Sequence, residues 1–257
     1  AGGVDYGEVG EVGTVYGGLM YYLSIGLKIR GWEKLGKVSA ILFAVFCIGG
    51  SFGGGNAAQS NQATIVLKNL LGLETTFSGA IIGLVLAVFV GIIIIGGIKR
   101  IASVTEKIVP LMAALYILAC IYIILMNFSY VDDAISMIVK EAFNPTAAGV
   151  GGVIGVLMVG FKRAAFSNEA GAGSASIAHS AVKTKYSASE GLVALLEPFI
   201  DTVVICTMTA LVIVIFNMNG AFVYGGDGLG GVTIDGVLYE GAGITSKAFA
   251  EYIPYSS

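Results

Sequence analysis

Three groups of residues in this sequence could do chemistry, and each lies within or beside a long apolar run. The first is a pair of acids, Glu197 and Asp201, in the stretch LEPFIDTVVICTM. A spacing of four puts both carboxylates on one helix face, and an acid inside a membrane span is costly enough to be a functional candidate. Such an acid can coordinate a hard cation through oxygen or carry a proton. The structural alternative pairs it with a basic residue of the neighbouring loop, or uses it beside the backbone carbonyl that Pro198 leaves free. The second group is the amide patch of SFGGGNAAQSNQ. On a regular helix Asn56, Gln59 and Ser60 share an arc of about 100°, with Asn61 pointing away. Amides unpaired in hydrocarbon cost several kcal/mol. They therefore either face a polar cavity and bind substrate, or hold helices together with the small residues around them. The third group is a backbone feature, the apolar run Thr146 to Phe161, interrupted by Gly149, Gly151, Gly152 and Gly155. At about 1.5 Å per residue it reaches roughly 24 Å, short of a hydrocarbon core about 30 Å thick. A short, glycine-broken segment of this kind points to a discontinuous helix lining a transport site.

Other arrangements carry less weight. His179 is the sole histidine and has no second His or Cys nearby in sequence, which argues against a metal. Ser167, Glu169 and His179 can be drawn as a hydrolase triad, making a membrane-embedded hydrolase one alternative, although their spacing does not demand it. Gly171-Ala172-Gly173 lacks the third glycine and preceding strand of a nucleotide motif. Thr14-Val15-Tyr16-Gly17-Gly18 is a reordered version of a potassium filter without a pore helix before it. A passive channel is thus a further, weaker alternative. Nothing in the pattern calls for a resident cofactor or for nucleic acid.

The elements that must position these residues are membrane helices. Of 257 residues, 56% are hydrophobic and 12% charged, about half the charged fraction of a soluble domain, and mean hydropathy is +0.87. Cys47, Cys120 and Cys206 sit in apolar runs and read as small packing residues. The glycine-rich, acidic start, Ala1 to Gly18, reads as an extramembrane loop, and the chain as part of a longer protein. Leu19 to Lys37 mixes Tyr21, Tyr22 and Trp32 with Lys28, Arg30, Lys34 and Lys37, which marks a membrane–water boundary, an interfacial helix and its connection. Five spans follow, at about 38–67, 77–98, 108–128, 146–161 and 192–216, with Pro110 near the start of the third. The tail after Asn217 reads as an extramembrane loop. Alternating the connections places Lys28, Arg30, Lys34, Lys37, Lys99, Arg100, Lys107, Lys162, Arg163, Lys183 and Lys185 on one side, against Lys68, Lys140 and Lys247 on the other. The positive-inside rule makes the first side cytoplasmic in a multi-pass protein of the plasma membrane.

Three stretches, GFKRAAFSNEAGAGSASIAHSA, EPFIDTVVICTMTAL and SFGGGNAAQSNQ, resemble the alanine/glycine:cation symporter family over nearly the whole chain. The resemblance implies an all-α membrane protein built as a five-plus-five inverted repeat of the amino acid–polyamine–organocation type, with the five spans as core helices three to seven. It further implies sodium-coupled symport of small neutral amino acids, alanine or glycine, by alternating access. Core helix one, with its unwound motif, and core helix eight have no counterpart in this sequence. Where the family has a proline before Met20, this chain has Leu19. In that scheme Gly151, Gly152 and Gly155 offer backbone to the substrate, since glycine permits close approach, while Val153 and Met158 wall its side-chain pocket. Asn56 and Gln59 face the substrate from core helix three, and Asp201 and Thr202 are the candidate sodium ligands. A proton-coupled amino-acid carrier using Glu197 or Asp201 is the alternative.

Overall fold

The structure is a computed structural model that describes residues 8–9, 15–73, 75, 77–143, 160–161, 164, 168–169, 173–180, 182, 184, 186–223 and 231–253. The described chain is predominantly helical. Two short strands, β1 (Glu8–Val9) and β2 (Val15–Tyr16), pair antiparallel where the sequence suggested only a loop. Then come α1 (Leu19–Ile29), α2 (Glu33–Phe52), a π-helical segment Gly53–Ala57, and α3 (Ala58–Leu71). They are followed by α4 (Ser78–Ile94), α5 (Gly97–Met126), a 3₁₀ turn Phe128–Tyr130 and α6 (Val131–Ala142). The short α7 (Ala175–Ser180) precedes α8 (Ser187–Pro198), a second π-helical segment Phe199–Cys206, and α9 (Thr207–Asn217). A hairpin of β3 (Gly231–Ile234) and β4 (Val237–Glu240) leads into α10 (Ala242–Tyr252).

Among the described residues, three helical stretches are long and apolar enough to cross a membrane: Glu33–Phe52, Gly97–Met126 and Ser187–Asn217. Ser78–Ile94 is a shorter apolar helix. Each starts or ends away from the range expected of its span. Residues 98–107, expected as a basic connection, are the first turns of α5. Pro110 therefore lies well inside that helix, where it cannot donate to the carbonyl of Glu106. Of the expected span 146–161, only Gly160 and Phe161 are among the described residues.

The chain divides into two compact units: residues 1–55 with 144–206, and residues 56–143 with 207–257. In the first unit, the stretch expected as an interfacial helix and its connection holds α1, a turn at 30–32 and the first turns of α2, which folds back on α1 as a hairpin. Gly31, with φ +82°, ends α1 in a left-handed turn. Its N–H donates to the carbonyl of Lys28 (3.0 Å) and that of Trp32 to Leu27 (2.8 Å). This paired closure lets α2 start at once in the reverse direction. The two helices then pack so closely at Gly36 that a Cβ there would lie 2.7 Å from the carbonyl oxygen of Leu23.

The second unit holds the largest buried cluster described: Cys120 and Ile123 of α5, Val212 and Phe216 of α9, Phe222, Val232 and Ile234 of the hairpin region, and Ala248 of α10. Tyr116 packs on Phe249 with ring centroids 5.4 Å apart, and Phe216 meets Tyr252 edge-on at 6.3 Å. The tail expected as a loop is thus an ordered cap. It folds because Asp235 (φ 52°) and Gly236 (φ 80°) form a two-residue turn between Ile234 and Val237, the twist-compatible geometry that Asp-Gly favours. Two polar contacts fasten it. Buried Asn217 accepts the N–H of Phe222 through Oδ1 (2.8 Å), and Gln62 of α3 accepts the N–H of Ala242 (3.0 Å) at the start of α10.

Candidate functional site

Both polar sites expected from the sequence coincide with a widened helical turn. The first falls in the glycine triplet, where low helix propensity weakens the regular ladder and the chain adopts the π segment Gly53–Ala57. Asn56 belongs to that segment, whereas Gln59 lies in the first turn of α3, and both are exposed. The arc drawn for a regular helix therefore does not hold across Asn56. Ser60 turns its hydroxyl to the carbonyl of Ala57 (3.2 Å), so it serves its own backbone.

The second widened turn follows Pro198. Proline has no N–H for the carbonyl of Ala194 and its ring crowds that carbonyl. Directly beyond it the backbone opens into the π segment Phe199–Cys206, a form that concentrates at functional sites. Asp201 and Thr202 lie within this segment, Asp201 half-buried and Thr202 exposed. Thr202 Oγ1 accepts a hydrogen bond from Asn168 Nδ2 at 2.9 Å. The structure thus joins the PFIDTVV stretch to the FSNEAG stretch, 34 residues apart. Asn168 thereby joins the candidate residues, although no spacing marked it. Its signal was its place inside the most distinctive motif of the chain.

Around that motif other described polar groups are engaged as well. The Ser174 hydroxyl donates to the Glu169 carboxylate. His179 of α7 points both ring nitrogens at acids of α8: Nδ1 lies 2.6 Å from Glu190 Oε1, and Nε2 lies 3.5 Å from Glu197 Oε2. The hydrogen bond that the ring donates to Glu190 holds the imidazole above its usual value of 6.5, burial works against it, and Glu197 adds to the rise. Among the described residues Glu197 pairs with a histidine, while Lys162, Arg163, Lys183 and Lys185 of the basic loop lie outside them. These pairings also undo the drawn triad, because Glu169 holds Ser174 and His179 holds Glu190 and Glu197. Ser167 lies outside the described residues. Glu190 is buried, with 8% of its surface exposed, and no spacing signal marked it either. Gly151, Gly152, Val153, Gly155 and Met158 lie outside the described residues too. Among the described residues no group of three or more His, Cys, Asp or Glu side chains forms a metal cluster.

Long apolar helices, two of them opened at polar residues, define a multi-span helical membrane protein. The chain belongs to the sodium:alanine symporter family, whose pattern matches residues 3–255. It is 40% identical over 252 residues to the sodium/alanine symporter AgcS of Methanococcus maripaludis, covering 98% of this chain and 51% of that protein. It is 37% identical over 253 residues to an uncharacterized transporter of Haemophilus influenzae, covering 96% of this chain and 50% of the relative. It is also 37% identical over 204 residues to the amino-acid carrier protein AlsT of Bacillus subtilis, covering 79% of this chain and 41% of the carrier. The chain thus spans about half the length of the curated relatives it matches. The family is one of transporters, not hydrolases.

Proposed function

We propose that the whole protein is a sodium-coupled symporter that carries alanine or glycine into the cell by alternating access. The observation that carries this reading is the π segment Phe199–Cys206, with Asp201 and Thr202 inside it and Thr202 bonded to Asn168 of the family's signature. Sodium is a hard cation that takes oxygen ligands, and opened helical turns supply carbonyl oxygens beside hydroxyl and carboxylate groups. Asp201 and Thr202 accordingly serve as sodium ligands in this reading. Asn56, at the other π segment, and Gln59 hydrogen-bond the amino acid. Gly151, Gly152 and Gly155 lend it backbone, and Val153 and Met158 bound a pocket sized for a methyl group or hydrogen.

The same reading takes the chain as core helices three to seven of a five-plus-five inverted repeat in the inner plasma membrane, with the basic connections cytoplasmic. Its support is family membership together with the sorting of basic residues. The name and relatedness of the archaeal sodium/alanine symporter support the choice of solute and ion. Uptake of labelled alanine by the full-length protein in proteoliposomes tests it. An inward sodium gradient should drive accumulation. Uptake indifferent to sodium defeats the coupling, and accumulation driven by a pH gradient alone assigns the proton-coupled alternative instead.

A further inference from the structure

We propose that His179, Glu190 and Glu197 form a proton-binding site whose occupancy holds α7 against α8. The argument begins with hydrogen counts. Ionised carboxylates only accept hydrogen bonds, and a neutral imidazole has a single N–H. Yet both ring nitrogens of His179 face carboxylate oxygens, at 2.6 Å on Nδ1 and 3.5 Å on Nε2. With a neutral ring and two ionised acids, one of these contacts sets a lone pair against an anion. Both contacts are favourable only when the cluster holds one further proton, on the ring or on one of the acids. Glu190 sharpens the requirement, because its carboxylate is buried and an uncompensated charge there is expensive.

Among the described residues, the two acids of α8 are the charged groups whose fields act on the ring. On its other side α7 meets Gly18, which lies by Ile177 and Ser180. The Ser180 hydroxyl donates to the carbonyl of Ile177 and takes no part in the site. The ring is itself only partly covered, with 23% of its side chain exposed, so protons can reach it from solvent. A histidine whose affinity for a proton is raised by its partners contributes its contact fully below the free value near 6.5. The contribution disappears as pH rises through the raised value. The site thus releases α7 on the alkaline side. This holds whatever solute the protein carries, so its failure and that of the symport reading are separate results.

The test is a titration of imidazole nitrogens by NMR in the full-length, detergent-solubilised protein, with the signal of His179 assigned by its loss in His179→Gln. The expected midpoint lies above 6.5, falls in Glu190→Gln, and falls less in Glu197→Gln, because the 2.6 Å contact outweighs the 3.5 Å one. Amide exchange across residues 175–180, corrected for intrinsic rates, should be protected at pH 6 relative to His179→Gln and approach that variant's rate at pH 9. A wild-type midpoint at or below 6.5 overturns the proposal, as does a midpoint unmoved by Glu190→Gln. Should that variant fail to fold, the wild-type midpoint and exchange decide.

Discussion

The hydrogen bond between Asn168 and Thr202 is the most informative place to perturb the proposed sodium site. Thr202→Val keeps the shape of the side chain and removes the oxygen, deleting the 2.9 Å bond to Asn168. A neutral hydrogen bond contributes about 1 kcal/mol net, which corresponds to roughly a fivefold change in an equilibrium constant. If the bond only holds the π segment in its sodium-ready form, Asn168→Ala and Thr202→Val should each raise the half-saturating sodium concentration about fivefold. If Thr202 Oγ1 is also a ligand, Thr202→Val should cost more, about tenfold or beyond, and Thr202→Ser should restore most of the loss. Because the two residues share a bond, the double variant should cost less than the sum of the two single effects. The assay is initial alanine uptake by the full-length protein in proteoliposomes across a sodium series. An unchanged sodium half-saturation in Thr202→Val refutes the role assigned to this segment.

The remaining predictions concern stability and are read from thermal unfolding of the full-length protein in detergent. Gly36→Ala brings a methyl group to 2.7 Å from the carbonyl of Leu23, so it should destabilise by about 1–3 kcal/mol through overpacking of α1 on α2. An unchanged midpoint would show that this contact is absent. Ile123 is fully buried in the cluster under the cap, and Ile123→Ala should cost about 2–5 kcal/mol. Asn217→Ala leaves the N–H of Phe222 without its partner and should cost about 1–3 kcal/mol. It should also raise protease cleavage between α9 and β3, whereas cleavage equal to that of wild type would argue against the fastening.

Much of the helical content was legible because apolar runs such as FSGAIIGLVLAVFVGIIII leave no other way to satisfy a backbone in hydrocarbon. The ends were less so. Residues 98–107 looked like a connection because they carry Lys99, Arg100 and Lys107, but charge does not stop a helix. Only caps or breakers do. The cap beyond Asn217 was missed although Thr233-Ile234-Asp235-Gly236-Val237-Leu238 carries a strong hairpin signal, because a tail rich in glycine was read by composition alone. At the candidate sites, Pro198 marked a freed carbonyl, whereas the Gly53–Gly55 triplet read only as small packing residues. The register change within each π segment was not visible in a regular 100° wheel. Asn168 and Glu190 meet their partners through tertiary contact, 34 residues away for Asn168 and 11 for Glu190, and local pattern cannot encode that.

The length of α5 fixes how deep it sits. Its apolar part, Ile108 to Met126, is about 28 Å long, close to the hydrocarbon thickness. The turns from Gly97 to Lys107 extend roughly 16 Å further as rigid helix. In a membrane that α5 spans, they would carry Lys99, Arg100, Glu106 and Lys107 through the headgroup layer, like graduations on a dipstick. Sinking the helix by one turn would draw Lys107 toward the core, where a lysine costs up to about 3 kcal/mol. Raising it by one turn would expose a turn of Ile, Leu and Met at the far end. In a thinner bilayer the helix must therefore tilt rather than slide, so membrane thickness acts directly on the angle at which α5 stands.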